Sequence, residues 1–285
     1  MIIDVRKNIL IVGLGLLGGS YAEKLKKYGF HISAITRTRS SIDYALEHDM
    51  IDEGTDQIDP EMIGKADLVI FALYPHIFLQ WIRENQQYLK SGCLITDVTG
   101  VKTSVVYDVQ EMLRDDVEFI AAHPMAGREV YGVQNARSSI FQDANYIVTP
   151  TDKNTPEAIE TCKELGLLLG FARISELTPE KHDEMIAFVS QLTHCIAVTL
   201  MTCNDEENIE KFTGDSFRDL TRIARINEMM WSELFIANKK ELLNQMDLFI
   251  DKFNELRDML ENDDVEGMRE MMRYSTKRRA LFDKK

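Results

Sequence analysis

The sequence is poor in proline, in cysteine and in positive charge. Only 6 prolines and 4 cysteines occur among its 285 residues, and 33 lysines and arginines face 47 aspartates and glutamates, which leaves a net charge of −14. An acidic balance of this size argues against nucleic acid or an anionic membrane as a partner, because both require clustered basic side chains. It does not argue against a local basic pocket for a small anion.

The cysteines are scattered along the chain, with no C-x-x-C pair and no spacing typical of a metal site: Cys93, Cys162, Cys195 and Cys203. We therefore predict free thiols, no bound metal and a reducing, cytoplasmic compartment. No apolar run in the sequence approaches the roughly 20 residues that span a bilayer. The first residues carry charges where a secretory signal would be apolar, so we predict no insertion into a membrane.

Short apolar segments alternate with amphipathic ones through the first half of the chain. The predicted strands cover residues 8–13, 31–36, 67–73, 93–97, 118–123, 145–149 and 171–175. Strands that alternate with helices predict an α/β fold with a Rossmann-type, doubly wound parallel sheet. Thr178 and Pro179 then predict a helix start, and no proline and almost no strand pattern follow. We therefore predict an α/β domain over residues 1–176 and an all-helical domain over residues 177–285.

A glycine-rich turn follows the first predicted strand and opens the first predicted helix. It has the spacing G-x-G-x-x-G, formed by Gly13, Gly15 and Gly18, with Leu16 and Leu17 between the last two. The first glycine permits a tight turn, the second lets pyrophosphate approach the backbone, and the third lets helix and strand pack closely. Because the turn lies inside a strand–helix–strand unit, it predicts a dinucleotide-binding site at the helix N-terminus.

The end of the second predicted strand indicates which dinucleotide binds. An NAD site usually has an acidic residue about 20 residues after the glycine turn, but this chain has Arg37, Thr38 and Arg39 there, with no carboxylate before Asp43. Guanidinium groups match a phosphate, so we predict NADP, with NAD as the alternative. The two arginines can also be solvated bases in front of a helix, since short charge runs are not specific.

Further candidates lie where predicted strands end, because ligands of open α/β sheets bind at the carboxyl edge. His123 ends the strand at residues 118–123, and a histidine that titrates near neutral pH can accept a hydroxyl proton while hydride leaves the same carbon. Leu73, Pro75 and Asp97 end neighbouring strands and are predicted to border the cofactor. For these three residues taken singly, a structural role in a cap or loop is an equally good interpretation.

The helical half contains two polar features. Ser190 and His194 are four residues apart and therefore share one helix face. Residues 217–225 contain three arginines in an apolar pattern, and the neighbours of Arg222 predict a half-buried side chain. A half-buried arginine needs an anionic partner, which is either a protein carboxylate or a carboxylate of a substrate.

Three segments together give the chain a resemblance to a known family. They read His-Pro-Met-Ala-Gly-x-Glu at residues 123–129, Ser-x-Leu-x-His at 190–194 and Phe-Arg-Asp-x-Thr-Arg-Ile-Ala at 217–224. In this order and spacing, the chain resembles the prephenate/arogenate dehydrogenases of tyrosine biosynthesis over essentially its whole length. The resemblance implies an NAD(P)-binding Rossmann domain followed by a helical domain that forms a homodimer.

The resemblance also implies roles for individual residues. His123 is similar to the catalytic histidine that hydrogen-bonds the ring hydroxyl of the substrate, and Arg222 is similar to the arginine that binds a substrate carboxylate. Ser190 and His194 match helix positions that line the substrate pocket. Glu129 matches an acidic residue near the entrance of the cleft.

One position departs from the family pattern. Relatives often have a serine two residues before the lysine that follows the fifth strand, where it supports the catalytic histidine. This chain has Gly100 there, followed by Val101 and Lys102. Either Thr99 supplies the hydroxyl from one residue earlier, or His123 is oriented in another way.

The reaction implied by the resemblance is oxidative decarboxylation of a small dicarboxylate, prephenate, to 4-hydroxyphenylpyruvate. The same chemistry on arogenate, which yields tyrosine, is the nearest alternative. A hydroxyacid or imine reductase with the same domain plan is a second alternative, although such enzymes commonly use a helix lysine where this chain offers Ser190 and His194. A non-catalytic NADP sensor is a third.

Overall fold

The computed structural model of the chain describes residues 3–128 and 130–282. The strands are β1 Asn8–Val12, β2 His31–Ile35, β3 Glu53–Thr55, β4 Leu68–Phe71, β5 Leu94–Asp97, β6 Glu118–Phe119, β7 Ala121–Pro124, β8 Asn145–Thr149 and β9 Arg173–Glu176. The helices are α1 Leu16–Lys26, α2 Arg39–Glu47, α3 Pro60–Lys65, α4 Pro75–Asn85, α5 Thr103–Met112, α6 Pro156–Leu169, α7 Pro179–Ile186, α8 Leu192–Thr202, α9 Asp215–Thr221, α10 Glu228–Ala237, α11 Lys239–Glu261 and α12 Val265–Arg279. A π-helical turn, Ala187–Gln191, joins α7 to α8.

Six parallel strands form the main sheet in the order β3-β2-β1-β4-β5-β6, which confirms the Rossmann-type fold. Ile9 and Ile11 of β1 belong to the hydrophobic core on one face of this sheet, and Leu10 and Val12 belong to the core on the other face. Because helices cover both faces, consecutive positions of the central strands are apolar, as in β4 throughout and in β1 after Asn8. The carboxyl ends of β1, β4 and β5 meet at one edge, where ligands of such sheets bind.

The strand predicted over residues 118–123 is divided in the structure. Its first part, β6, pairs with β5, whereas β7 pairs antiparallel with β8 in a second sheet that β9 completes. The division falls at Ile120 because β5 ends at Asp97, whose carboxylate accepts the backbone N–H of Ala122 at 3.1 Å. His123 therefore lies where the two sheets meet, next to the carboxyl end of β5.

Two short elements, β3 and α3, lie outside the sequence prediction. Neither contains enough apolar residues to produce a periodic pattern. Asp59 begins α3 by accepting the backbone N–H groups of Glu61 and Met62, and Pro60 occupies the first helical position. These local signals determine where α3 begins, but they do not by themselves distinguish a helix from a turn.

The chain after β9 is helical throughout its described part, as predicted. Thr178 begins α7, because its side chain accepts the backbone N–H of Lys181 at 3.2 Å and Pro179 occupies the first helical position. Threonine as the N-cap followed by proline is a combination that favours a helix start.

The described residues form two compact units, divided between Asn238 and Lys239. The first unit contains the α/β part together with α7 to α10. Its helical part is joined to its α/β part by buried polar contacts, among them the carboxylate of Asp183, which accepts the backbone N–H of Thr103 at 2.8 Å. In the second unit, α11 and α12 pack against each other.

The helical stretch Pro179–Thr202, which comprises α7, the π turn and α8, is long and apolar enough to cross a membrane by length and composition alone. Three buried polar side chains lie along it: His182, Asp183 and Gln191. Each is hydrogen-bonded within the first unit. Polar side chains paired in this way are typical of a core helix in a globular unit rather than of a helix that faces lipid.

Candidate active site

The glycine turn has the geometry that a dinucleotide site requires. Gly13 has a φ of 102°, and a Cβ there would collide with the carbonyl of Ala72. A Cβ at Gly18 would collide with the carbonyl of Gly13, so α1 packs directly onto the turn. A Cβ at Gly15 would meet nothing within 4 Å. The backbone at this N-cap residue is therefore open to a pyrophosphate, which the N-terminus of α1 at Leu16 would stabilise.

The other predicted cofactor residues that follow β1 and β4 lie at the same edge of the sheet. Leu16 and Leu17 form the first turn of α1 and are half-buried. The side chain of Leu73 lies directly against Gly13, and Pro75 is buried at the first position of α4. The residues present thus fit a dinucleotide. Among the residues that the structure describes, no three His, Cys, Asp or Glu side chains are grouped as a metal site would require.

Arg37 and Thr38 lie between β2 and α2, Arg39 is the first residue of α2, and all three are exposed. The backbone N–H of Gly13 donates to the carbonyl of Ile35 at 2.8 Å, which holds the end of β2 beside the glycine turn. Arg39 donates from Nε to Oδ1 of Asp43 at 2.9 Å on the surface of α2. Two guanidinium groups therefore lie at the edge where the ribose of a bound dinucleotide is expected.

His123 is held by a chain of hydrogen bonds that ends on a carboxylate. Its Nδ1 atom lies 2.8 Å from Nε2 of His182, and Nδ1 of His182 lies 2.7 Å from Oδ1 of Asp183. Because a carboxylate only accepts, His182 donates from Nδ1 and accepts at Nε2 from Nδ1 of His123. The Nε2 atom of His123 is then unprotonated, and it makes no hydrogen bond within the described part of the chain.

Burial and hydrogen bonding together determine the protonation of these three side chains. Burial lowers the pKa of His123 well below its ordinary value, and the neighbouring His182 and the ammonium of Lys102 lower it further. Burial also lowers the pKa of His182, against the opposing effect of the Asp183 carboxylate. Burial alone would raise the pKa of Asp183, but hydrogen bonds from His182 and Thr103 hold it below its ordinary value. At neutral pH both histidines are neutral and Asp183 is ionised.

Sequence reasoning missed His182 and Asp183. A signal was available, because adjacent histidine and aspartate residues follow directly on the start of α7, in a segment whose other residues give it an apolar face. Ionisable side chains are rarely buried unless they are paired. The sequence does not show, however, that the first turns of α7 pack against His123, from which His182 is separated by 59 residues.

A buried ion pair lies behind His123. Lys102 donates from Nζ to Oδ2 of Asp97 at 2.8 Å, and neither side chain has any exposed surface. The same ammonium donates to the carbonyl of Ala122 and to the hydroxyl of Thr99, at 3.2 Å from the latter. Burial lowers the pKa of Lys102, against the opposing effect of Asp97. Lys102 thus joins the end of β5 to the residue that precedes His123.

Asp97, which is predicted to border the cofactor, has its carboxylate hydrogen-bonded within this cluster. Its carboxylate points into the protein, where Oδ1 accepts from Ala122 and Oδ2 accepts from Lys102 and the backbone N–H of Thr99. The hydroxyl of Thr99 is hydrogen-bonded to Asp97 as well. Within the described residues no hydrogen bond joins Thr99 to His123, whose Nδ1 partner is a histidine instead of a hydroxyl.

Gly100 lies on the Nε2 side of His123. A Cβ built at this glycine would lie 3.9 Å from Nε2 and 3.6 Å from the side chain of Leu234, which are ordinary contact distances. A side chain at position 100 would therefore fit and would lie next to the imidazole. With glycine present, this part of the loop offers space in front of Nε2 and no hydrogen-bonding group from a side chain.

Ser190 and His194 lie close together, on the helical stretch that follows α7. Nδ1 of His194 donates to the carbonyl of Ser190 at 2.9 Å, and the ring of His194 stacks on Trp231 with centroids 3.7 Å apart. Ser190 lies in the π-helical turn, a type of irregularity that is frequent at functional sites. Both residues are half-buried, so their side chains are accessible to a ligand.

Arg222 begins a short turn, Arg222–Ala224, that lies against α8. The residue is exposed, whereas its apolar neighbours predict a half-buried side chain. The prediction is wrong because those neighbours are not uniformly buried, and Leu220 is itself 61% exposed. The turn places Arg222 near the helix that carries His194. Glu129, the other predicted substrate residue, lies outside the described residues.

Comparison with known proteins identifies one family for both parts of the chain. Residues 21–174 match the family model described as prephenate dehydrogenase, nucleotide-binding domain, and residues 178–274 match the one described as prephenate dehydrogenase, dimerization domain. A prephenate dehydrogenase of Bacillus subtilis (strain 168) is 31% identical over 93% of this chain and 73% of its own length. A cyclohexadienyl dehydrogenase of Zymomonas mobilis is also 31% identical, over 98% of this chain and 97% of its own.

Similar folds are found among solved structures. The crystal structure of prephenate dehydrogenase from A. aeolicus, in complex with hydroxyphenyl propionate and NAD+, superimposes with a TM-score of 0.90. The two sequences are 28% identical, and the match covers 97% of this chain and 98% of the other. The similarity therefore extends over both the α/β part and the helical part.

Proposed function

Because this chain belongs to the prephenate dehydrogenase family, we propose that it converts prephenate to 4-hydroxyphenylpyruvate and CO2 with a nicotinamide cofactor. The observation that carries the proposal is the imidazole of His123, whose unprotonated Nε2 lies beside the carboxyl end of β5, next to Gly100. A base placed at this edge of a dinucleotide-binding sheet suits the removal of a hydroxyl proton during hydride transfer.

The proposed reaction transfers one hydride, moves one proton and breaks one carbon–carbon bond. The nicotinamide ring, when bound, supplies the acceptor for the hydride of substrate C4. Nε2 of His123 accepts the proton of the C4 hydroxyl as C4 becomes a carbonyl carbon. The bond between C1 and the ring carboxylate then breaks, CO2 leaves, and the electron pair of that bond completes the aromatic ring. The phenolic oxygen recovers the proton from His123, so no proton is consumed.

We propose that the cofactor is NADP. Gly13, Gly15 and Gly18 would hold the pyrophosphate at the N-terminus of α1, and the guanidinium groups of Arg37 and Arg39 would pair with a 2′-phosphate. The A. aeolicus relative was solved with NAD+, so NAD is the alternative cofactor. The exposed position of the two arginines supports the phosphate, for which Arg39 would exchange its surface contact with Asp43.

The proposed function is tested by an assay of four combinations, prephenate or arogenate with NAD or NADP, followed by the absorbance of the reduced nicotinamide. We expect turnover of prephenate with NADP and a lower kcat/KM with NAD. Preferential turnover of arogenate would select the alternative substrate. No turnover in any combination would overturn the proposed function and favour another reductase or a cofactor sensor.

Replacement of Arg222 by leucine should raise KM for the dicarboxylate substrate by about 10- to 100-fold, because a charge-assisted hydrogen bond to a carboxylate is lost. The KM for the cofactor should stay within about twofold of the wild-type value, because Arg222 is proposed to bind the substrate and not the cofactor. Initial rates against each ligand measure both constants.

Arg225 provides the matched control, because it is also exposed and lies three residues later in the same segment. Arg225→Leu removes the same charge, so it corrects for the general effect of charge on a doubly anionic substrate. An equal rise in KM in both variants would contradict a specific contact between Arg222 and the substrate.

We propose further that the enzyme is a cytoplasmic homodimer built from domains over residues 1–176 and 177–285. The boundaries of the two family matches, which end at 174 and begin again at 178, support this division. Large apolar side chains that are more than half exposed in the single chain support a partner for the helical part. They include Phe212, Met229, Ile236, Leu248, Phe253 and Leu260.

A further inference from the structure

We propose that His182 and Asp183 are positioning residues, which fix the imidazole of His123 in the tautomer whose Nε2 atom is the base. What that base does rests on the function proposed above, but the hydrogen-bond chain is a property of the protein without ligands. Both residues are buried and act on the substrate only through His123.

The Asp183 carboxylate is held in one orientation by several donors. Oδ1 accepts the backbone N–H of Lys102 at 2.8 Å, and Oδ2 accepts the backbone N–H of Thr103 at 2.8 Å and the Thr103 hydroxyl. The backbone carbonyl of Asp183 accepts from the side-chain amide of Asn238 at 2.9 Å. The acceptor that His182 meets is therefore fixed by the start of α5 and the end of α10, not by α7 alone.

The fixed carboxylate determines where the protons of both imidazoles lie. An ionised carboxylate cannot donate, so Nδ1 of His182 carries its proton. Neutral His182 then has a lone pair at Nε2, and only a proton on Nδ1 of His123 can satisfy it. The other tautomer of His123 would bring two lone pairs together across 2.8 Å in a buried site. Nε2 of His123 is therefore left as the basic atom.

The charged groups around the two imidazoles favour at most one positive charge on the pair. The ammonium of Lys102 lies on one side and is balanced by Asp97, and Asp183 lies at the far end of the chain. When His123 takes up the substrate proton, its Nδ1–H donates to a neutral acceptor, and the Asp183 carboxylate offsets the new charge. The chain thus orients the base before the reaction and stabilises its conjugate acid afterwards.

Because position 100 is a glycine, the imidazole of His123 is oriented through the hydrogen bond at its Nδ1 atom. A side chain at this position would lie against Nε2, but glycine provides no group that can orient the ring. The hydroxyl of Thr99, the nearest alternative in sequence, is hydrogen-bonded to Asp97. The orientation of His123 therefore depends on His182.

The kinetic test compares two replacements of His182. His182→Leu removes the acceptor and should lower kcat about 100-fold, within the range for a positioned acid or base. His182→Gln places an amide oxygen near the former Nε2 atom, where it can accept from His123, and should keep kcat within about tenfold of the wild type. The KM for NADP should change less than about threefold in both. His48→Gln, which replaces an exposed imidazole, is the matched control.

A spectroscopic test reads the tautomer directly. Ring nitrogen shifts of 15N-histidine-labelled protein without ligands should show His123 protonated on Nδ1 in the wild type and in His182→Gln. In His182→Leu the two tautomers should become mixed, since the acceptor is gone. The His123→Asn protein identifies which resonance belongs to His123.

These measurements separate failure of this inference from failure of the proposed function. A wild-type His123 protonated on Nε2, or a His182→Leu enzyme with kcat within threefold of the wild type, would overturn the positioning role. Equal losses of kcat and of NADP affinity in His182→Leu and His182→Gln would indicate a merely structural role. If the wild type turns over no substrate, the proposed function fails, and the tautomer measurement still decides the inference. The same measurement on the wild type, with His123→Asn for assignment, decides it if both His182 variants fail to fold.

Discussion

Replacement of His123 by asparagine is expected to lower kcat by about 10²- to 10⁴-fold, the range that a positioned general base contributes. Asparagine preserves the Nδ1 half of the imidazole, because its side-chain amide can donate to Nε2 of His182 as Nδ1 does in the wild type. It has no atom at the position of Nε2. The variant therefore removes the base and leaves the hydrogen bond behind it in place, so the loss should be in kcat and not in folding.

The pH dependence of kcat/KM in the wild type tests the same role of His123. Burial, with the nearby His182 and Lys102, lowers the pKa of His123 well below 6.5, so the base is already unprotonated near neutral pH. The value of kcat/KM should therefore be flat near and above pH 6.5 and should fall only as the pH drops through the lowered pKa. The free energy of unfolding should also fall as the pH drops below about 6.5, because the unfolded chain binds this proton at a higher pH than the folded chain does.

The residual activity of His123→Asn should lack this acid limb, because the group that titrates is gone. Cofactor binding is the internal control: the quenching of protein fluorescence by NADP should give a Kd within about twofold of the wild type. His48→Gln again controls for the loss of one imidazole elsewhere. Turnover of His123→Asn within a few-fold of the wild type, or an unchanged acid limb, would remove His123 from the mechanism.

The glycine turn and the strand ends were predictable because their chemistry is local. Gly18 is required by its contact with the carbonyl of Gly13, five residues earlier, and such a local contact leaves a spacing in the sequence. Gly13 belongs to the same spacing, although the group that its Cβ would meet is the carbonyl of Ala72 in a distant segment. His123 was predictable as the end of an apolar strand, although that strand divides at Ile120. The division depends on the side chain of Asp97, which takes a backbone N–H that a longer β5 would otherwise have bound.

The parts of the site that the sequence did not reveal depend on contacts between distant segments. A carboxylate at the end of a strand can point to the ligand or into the protein, and Asp97 points inward because Lys102 reaches back to it. His182 lies 59 residues from His123, and no local pattern indicates their contact. The helix start at Thr178 predicts where α7 begins but not which elements it packs against. Such pairings follow from tertiary packing, which periodicity and capping signals do not encode.

Replacement of Lys102 by methionine is expected to destabilise the first unit by about 3–5 kcal/mol, the usual cost of breaking a buried ion pair from one side. Methionine fills a similar volume, so the loss comes from the charge left behind. Asp97 would keep the N–H groups of Ala122 and Thr99 but would lose its only cationic partner among the described residues. Thermal unfolding of the wild type and the variant in the same buffer measures the difference.

Lys65→Met is the matched control for Lys102→Met, because Lys65 pairs with Glu61 on the surface of α3 with most of both side chains exposed. A surface pair of this kind is worth about 0–1 kcal/mol, so its loss should barely shift Tm. A double variant, Lys102→Met with Asp97→Leu, should recover part of the stability, since it removes the buried charge that the single variant leaves unpaired. It should not recover kcat, because the ammonium also holds the carbonyl of Ala122, next to His123. Equal stability of the Lys102→Met and Lys65→Met proteins would show that the Lys102–Asp97 pair contributes no more than a surface pair. Recovery of both stability and turnover in the double variant would show that the pair stabilises the fold without positioning the base.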